Sequence, residues 1–77
     1  MSVRVLLFAS LAELAGRHEL LIKGVGDTDQ LANHIHEHYP ALKKAVYIVA
    51  VGEEIIQSNT LIEEGVPVAL LPPYSGG

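Results

Sequence analysis

Only one stretch of this chain has the length and spacing of a main amphipathic helix, and the rest of the fold must be arranged around it. Asp27 and Gln30 stand at capping-box spacing in "GVGDTDQ", ahead of a helix expected to run to about Tyr39 and to be closed by Pro40. Leu31, Ile35, Tyr39 and Leu42 recur at helical spacing, which commits one stripe to a core. The other apolar segments are short and strand-like. In "VRVLLFA", residues 3–9, Val3, Val5 and Leu7 share one face while Arg4, Leu6 and Phe8 share the other, and Arg4 marks the second face as the one nearer water.

After this first strand, "SLAELAG" places Ser10 as a helix N-cap with Glu13 three residues on, and Gly16 as terminator of one or two turns. "HELLIK" reads as a second strand, "VYIVAV" and "EIIQS" as two more, "LIEEG" as a turn, and "VPVALL" as the last strand. Gly52-Glu53 joins the middle pair, with glycine at the first central position of a type II′ hairpin. A helix laid across one face of a mixed four- or five-stranded sheet is the economical way to cover these faces, so the expected class is α+β.

At 77 residues the chain makes one small domain. It contains no cysteine, so neither disulfides nor thiolate zinc can staple it and no thiol nucleophile exists. The opening "MSVRVLLFAS" lacks signal-peptide zones and the run "AVYIVAV" is too short to span a bilayer, which points to a cytoplasmic protein. The formal net charge of -4 argues against nucleic acid and anionic membrane as partners and suits a partner with a basic groove.

Candidate catalytic groups do not assemble. In "HIHEH", His34 and His38 share a flank of the helix and His36 projects from the other, so all three cannot meet one ion and a solvated role without metal is expected. Glu53-Glu54 and Glu63-Glu64 are adjacent pairs in turns, and neighbours on a strand point to opposite faces, so neither pair forms a facing dyad. Ser10, Ser58 and Ser75 lie in no nucleophile turn, and "KGVGDT" is no phosphate loop.

The end "VALLPPYSGG" is the feature left over. Pro72 and Pro73 lack backbone donors, so the last strand cannot extend its ladder past Leu71 and the chain should leave the sheet stiffly. The expected division is a folded domain over residues 1–73 and a flexible tail over 74–77. Tyr74, Ser75, Gly76 and Gly77 form a slim thread, because glycines without Cβ pass through channels that exclude other residues. Such a thread can carry its carboxylate into another protein's active site. A carboxylate is a poor electrophile until AMP is transferred to it from ATP, and this chain has no nucleotide site, so activation falls to a partner enzyme. Sulfide or an amine could then capture the carbonyl.

"LLFASLAELAG", "VAVGEEII" and "VALLPPYSGG" together resemble the MoaD/ThiS family of ubiquitin-like sulfur carriers over nearly the whole length, and Pro-Pro before the tail favours the branch containing the small subunit of molybdopterin synthase. The resemblance implies a ubiquitin-like β-grasp with the last strand parallel to the first. It implies that Gly77 is adenylated by an ATP-dependent activating enzyme using magnesium-ATP and converted to a thiocarboxylate. The tail of Tyr74, Ser75 and Gly76 then threads into the molybdopterin synthase large subunit, in a hetero-oligomer expected to be a heterotetramer, and sulfur passes to cyclic pyranopterin monophosphate. The catalytic groups belong to the large subunit, and no cofactor is bound by the carrier itself. Position by position, the partner interface falls on Phe8, Ile55, Leu71, Pro72 and Pro73. Gly52-Glu53, Leu70-Leu71 and Val66-Pro67 depart from the residues frequent in the family, which bears on affinity and partner choice. The alternatives are a thiamine-type or general sulfur carrier, a modifier joined to lysine, and a β-grasp interaction module without acyl chemistry.

Overall fold

The structure, a computed structural model, describes residues 1–73. The expected tail residues Tyr74, Ser75, Gly76 and Gly77 lie outside them. The chain runs β1 (Ser2–Leu7), α1 (Ser10–Ala15), β2 (Glu19–Lys23), α2 (Thr28–His38), α3 (Pro40–Lys43), β3 (Ile48–Val51), β4 (Glu54–Ile56) and β5 (Val68–Leu71). The strands form one five-stranded sheet in the order β2-β1-β5-β3-β4. β1 and β5 pair in parallel at its centre, with Val5 beside Val68 and Leu7 beside Leu70. The other three pairings are antiparallel.

This topology dictates where the main helix goes. β2 and β3 are each antiparallel to a member of the parallel central pair, so they point the same way from opposite sides of it. Strands that point the same way cannot be joined by a tight hairpin, and the connection must cross a face of the sheet. α2 and α3 occupy that connection. Leu31 and Ile35 of α2, Leu42 of α3, and Leu11 and Ala12 of α1 enter one buried cluster with Val3, Val5, Leu7, Leu20, Ile22, Val68 and Leu70. All three helices therefore serve the same face.

The strand parity read from "VRVLLFA" holds: Val3, Val5 and Leu7 are buried while Arg4 and Phe8 are exposed. The main helix starts as its spacing predicts, with the Gln30 amide donating to Asp27 Oδ1 at 2.8 Å. The Gln30 side chain accepts from the Gly26 amide at 2.8 Å, one residue further back than in a regular capping box. Tyr39 ends α2, and Pro40 opens the one-turn α3 that carries Leu42. The expected single stripe is thus divided between two helices. Gly16 closes α1 in the left-handed region at φ 73, its amide donating to the Ala12 carbonyl at 2.8 Å. Gly52 has φ 64 and Glu53 is not among the positive-φ residues, the pattern of a type II′ turn.

The expectation that fails is the cap on α1. Ser10 is the first helical residue rather than its N-cap, Ala9 takes that place, and no side chain caps the helix. The reason is geometric: Ala9 adopts φ 50, ψ -127, so the chain turns sharply before Ser10 and the helix starts one residue earlier than a Ser10 cap requires.

A tertiary clasp replaces what local pattern cannot supply. Thr28, buried at the start of α2, accepts from the Thr60 amide at 2.9 Å through its hydroxyl and donates to Asn59 Oδ1 at 3.3 Å. Asn59 Oδ1 also accepts from the Asp29 amide at 2.9 Å, and the Thr28 amide donates to the Thr60 carbonyl at 2.9 Å. The N-terminus of α2 is thereby capped twice, by Asp27 in sequence and by Asn59 across the fold. Replacing Asp27 by Ala should lower the unfolding free energy by about 1 kcal/mol and the melting temperature by roughly 4–8 °C in a domain of this size, read by thermal denaturation. A shift under 1 °C would show that the Asn59 clasp alone holds the helix end.

Candidate functional site

The face of the sheet opposite the helices is built by the alternate residues of every strand. Register places Glu19 opposite Leu6, Leu6 beside Ala69, Ala69 opposite Ala50, and Ala50 opposite Ile55, so these residues form one row across all five strands. The next row has Leu71 opposite Ile48. Phe8 follows Leu7 at the end of β1, its amide donating to the Leu70 carbonyl at 3.2 Å, which sets it beside β5 at the level of Leu71. Strands are spaced about 4.8 Å apart, so Ile55, two strands from β5, stands roughly 10 Å from the Ala69 position.

Phe8 is 44% exposed and Ile55 63% exposed, whereas Leu71 and Pro72 are half-buried and Pro73 is exposed. The structure thus places Phe8, Ile55 and Leu71 on one face and has Pro72 and Pro73 continue from the end of β5 beside it. Small Ala50 and Ala69 occupy the middle of that face, which lowers its centre relative to the larger side chains around it. An apolar surface of this continuity on the uncovered side of a small sheet marks an interaction face more often than surface noise. The sequence located Phe8, Ile55 and Leu71. Alternation also placed Leu6 here; Ile48, Ala50 and Ala69 were not singled out, because their membership follows from strand register rather than local pattern.

Charge is confined to one side of this face. Arg4 and Glu19 form a two-pronged pair on the β1–β2 side, with Nη2 to Oε1 at 3.1 Å and Nε donating to Oε2 at 3.2 Å. Hydrogen bonding and attraction to Arg4 hold the Glu19 carboxyl below its ordinary range, and the same contacts raise Arg4. Both side chains are more than half exposed, so the pair orders a rim more than it stabilises the fold. On the β4 side, an open cleft of about 430 Å³ runs between the start of α2 and β3–β4, with Thr28, Tyr47, Ile48, Ile55 and Asn59 among its walls.

The histidines divide as their spacing predicts, but not all are left to water. The His34 and His38 rings stack with centroids 4.3 Å apart on one flank of α2. His36, half-buried on another, has Nε2 2.6 Å from the Tyr47 hydroxyl, and burial pushes the Tyr47 hydroxyl pKa up. His36 is therefore a structural tie rather than a solvated side chain. Among the described residues no three histidine or carboxylate groups converge to hold a metal ion. Glu53, Glu54, Glu63 and Glu64 are all exposed. No helix among the described residues is long and apolar enough to cross a membrane.

Known proteins share this fold and length. The ThiS family model matches residues 5–77. The molybdopterin synthase sulfur carrier subunit of Caenorhabditis briggsae is 35% identical over an aligned 82 residues, covering 99% of this chain and 98% of the relative. The protein of the same name from Chlamydomonas reinhardtii is 33% identical, with both chains covered completely. Subunits 1 and 2 of molybdopterin-converting factor from Helicobacter pylori were solved as a protein–protein complex, in which the similar chain matches at TM-score 0.78 and 29% identity with 100% of each chain covered. Small archaeal modifier protein 1 from Methanosarcina acetivorans matches at TM-score 0.84 and 27% identity, covering 99% of this chain and 96% of that one.

The two faces of the sheet should respond differently to truncation. Ile55→Ser, on the outer face, should change stability by no more than about 1 kcal/mol, whereas Leu70→Ala, on the helix face, should remove about 2–5 kcal/mol. Urea unfolding of the two variants checks this, and comparable losses would mean that the outer face is part of the core.

Proposed function

The chain belongs to the ThiS family, and on that premise we propose that it is the sulfur-carrier small subunit of a molybdopterin synthase. The observation that carries the reading is the apolar outer face with exposed Phe8 and Ile55 and half-buried Leu71, which adjoins the end of β5, the strand that leads into Pro72-Pro73 and then the Gly-Gly sequence. The names of the relatives that match end to end support the pathway. The Helicobacter pylori complex supports a large-subunit partner.

On this reading Gly77, with which the sequence closes, is the reacting residue. A separate activating enzyme joins the Gly77 carboxylate to AMP from magnesium-ATP and releases pyrophosphate. Sulfide displaces AMP to leave a thiocarboxylate. In the large subunit the sulfur passes to cyclic pyranopterin monophosphate and the carboxylate returns. A dithiolene holds two sulfurs, so two charged carriers, or one carrier charged twice, serve each pterin. The carrier supplies a docking face, a slim tail of Tyr74, Ser75 and Gly76, and the sulfur; the groups that stabilise charge on the reacting carbonyl come from the partner.

A second reading has an observation of its own: the similarity to a small archaeal modifier protein favours capture of the activated carbonyl by a lysine amine, giving an amide in place of a thiocarboxylate. Intact-mass analysis distinguishes the two, since a thiocarboxylate replaces one oxygen by sulfur on the free protein and an amide joins it to another chain. Incubation with a cognate activating enzyme, magnesium-ATP and sulfide should give the thiocarboxylate. Mixing that product with the large subunit and the pyranopterin should consume the sulfur as dithiolene forms. Thiocarboxylate without pterin product would move the assignment to thiamine-type or general sulfur delivery, and no conversion would leave the interaction module.

Deleting Gly77 should abolish sulfur transfer, while His34→Ala combined with His38→Ala should retain it. Phe8→Asp or Leu71→Asp should weaken binding of the large subunit by more than about 2 kcal/mol if either residue is a hot spot, as titration calorimetry would read. Unchanged affinity in both would place the interface elsewhere.

A further inference from the structure

Ala9 is the one non-glycine residue with positive φ among those described. Its angles, φ 50 and ψ -127, are those of the first central position of a type II′ turn, where glycine is preferred because a Cβ is crowded by the backbone. The turn spans Phe8 to Leu11 and is closed by the Leu11 amide donating to the Phe8 carbonyl at 3.1 Å. The Ala9 carbonyl accepts from the Ala12 and Glu13 amides at 3.1 and 3.3 Å, so the same residue starts α1.

Strain of this kind survives only where the surroundings over-determine the backbone. Here they do. Leu7 on one side and Leu11 on the other are both buried in the core, and the Phe8 amide is held by the Leu70 carbonyl. Between these anchors the chain must reverse from strand to helix within a few residues, and it does so with Phe8 directed to the outer face. Glycine at position 9 would relieve the crowding. It would also open φ values of both signs to the turn, leaving Phe8 to be ordered at the moment of association.

We propose that Ala9 is a positioning residue for docking: its methyl group confines the Phe8–Leu11 turn to one conformation and so holds the Phe8 ring in the outer-face patch before a partner arrives. This inference rests on the reading of that patch as the docking face. The strained residue flanks the patch rather than the core, where relief by glycine would carry no such penalty.

The test compares the wild-type chain, Ala9→Gly and Phe8→Ala in three measurements: affinity for the purified large subunit of molybdopterin synthase, melting temperature, and amide hydrogen exchange at Phe8 and Leu11. In Ala9→Gly, affinity should fall about fivefold, equivalent to ~1 kcal/mol. Its melting temperature should be unchanged or raised, because relief of strain offsets the added freedom of the unfolded chain, and exchange at Phe8 and Leu11 should quicken. Unchanged affinity, or a loss matched by a lower melting temperature, overturns the proposal. Phe8→Ala separates the causes. If it loses affinity at least tenfold while Ala9→Gly does not, docking through the patch stands and the role of Ala9 falls. If neither variant loses affinity, both fall. A loss in Ala9→Gly without one in Phe8→Ala also overturns the proposal, since the effect would not run through Phe8.

Discussion

The parallel pairing of β1 with β5 sets the geometry of everything else in the molecule. Val5 and Val68 are fully buried side by side, and Leu7 and Leu70 nearly so, which makes this pair the apolar centre of a small domain. Because the two strands run the same way, both leave the sheet at the same end. β1 leaves into Phe8 and the Ala9 turn, and β5 into Pro72-Pro73. An antiparallel pair would have sent them to opposite ends. The proximity of an exposed aromatic to the segment that precedes Gly-Gly is thus a consequence of strand direction.

The same pairing accounts for the bare face. Placing β1 and β5 between β2 and β3 forces the β2-to-β3 connection across the sheet, and α2 and α3 use that crossing to cover one side. Among the described residues no further helix covers the other. An antiparallel sheet with one wet face ordinarily carries alternating polar residues on it. Here the charged pair Arg4–Glu19 and the exposed Leu21 lie on the β1–β2 side, while the rows through β5, β3 and β4 present Ala69, Leu71, Ile48, Ala50 and Ile55. Pro72 ends the ladder where β5 stops, as two residues without backbone donors require.

Much of this was legible in the sequence because it is written in local period. Alternation fixed the faces of Val3, Val5 and Leu7, Asp27 marked the helix start, and Gly16 and Gly52 marked turns that need positive φ. The apolar face was legible only at Leu6 and Phe8, through alternation, and at Ile55 and Leu71, through the family resemblance. Ala50 and Ala69 join it through registers between strands distant in the chain, and no short window of sequence contains a register. The Thr28–Asn59 clasp and the His36–Tyr47 bond are hidden for the same reason. The misreading of Ser10 has a different cause: Ser-x-x-Glu is a sound local signal for a helix cap, but the buried anchors Leu7 and Leu11 impose a sharper turn than the cap allows. Tertiary burial overrode a local preference worth about 1 kcal/mol.

The division between faces also decides how such a protein can change. Substitution on the helix face acts through packing, where removal of a few methylenes is felt throughout the core, so those positions are bound to remain apolar and of matched volume. Substitution on the outer face leaves the cluster of Val5, Leu7, Leu31, Ile35, Val68 and Leu70 untouched and, on the proposed reading of that face, acts through a docked partner. Because side-chain direction alternates along each strand, neighbouring residues fall under opposite constraints. Leu70 is held by the core, whereas Leu71, half-buried and one position on, faces away from it and, on the proposed docking reading, can be tuned for a partner. A five-stranded sheet can therefore keep its fold while its binding preference drifts, with the boundary between the two running between consecutive residues of β5.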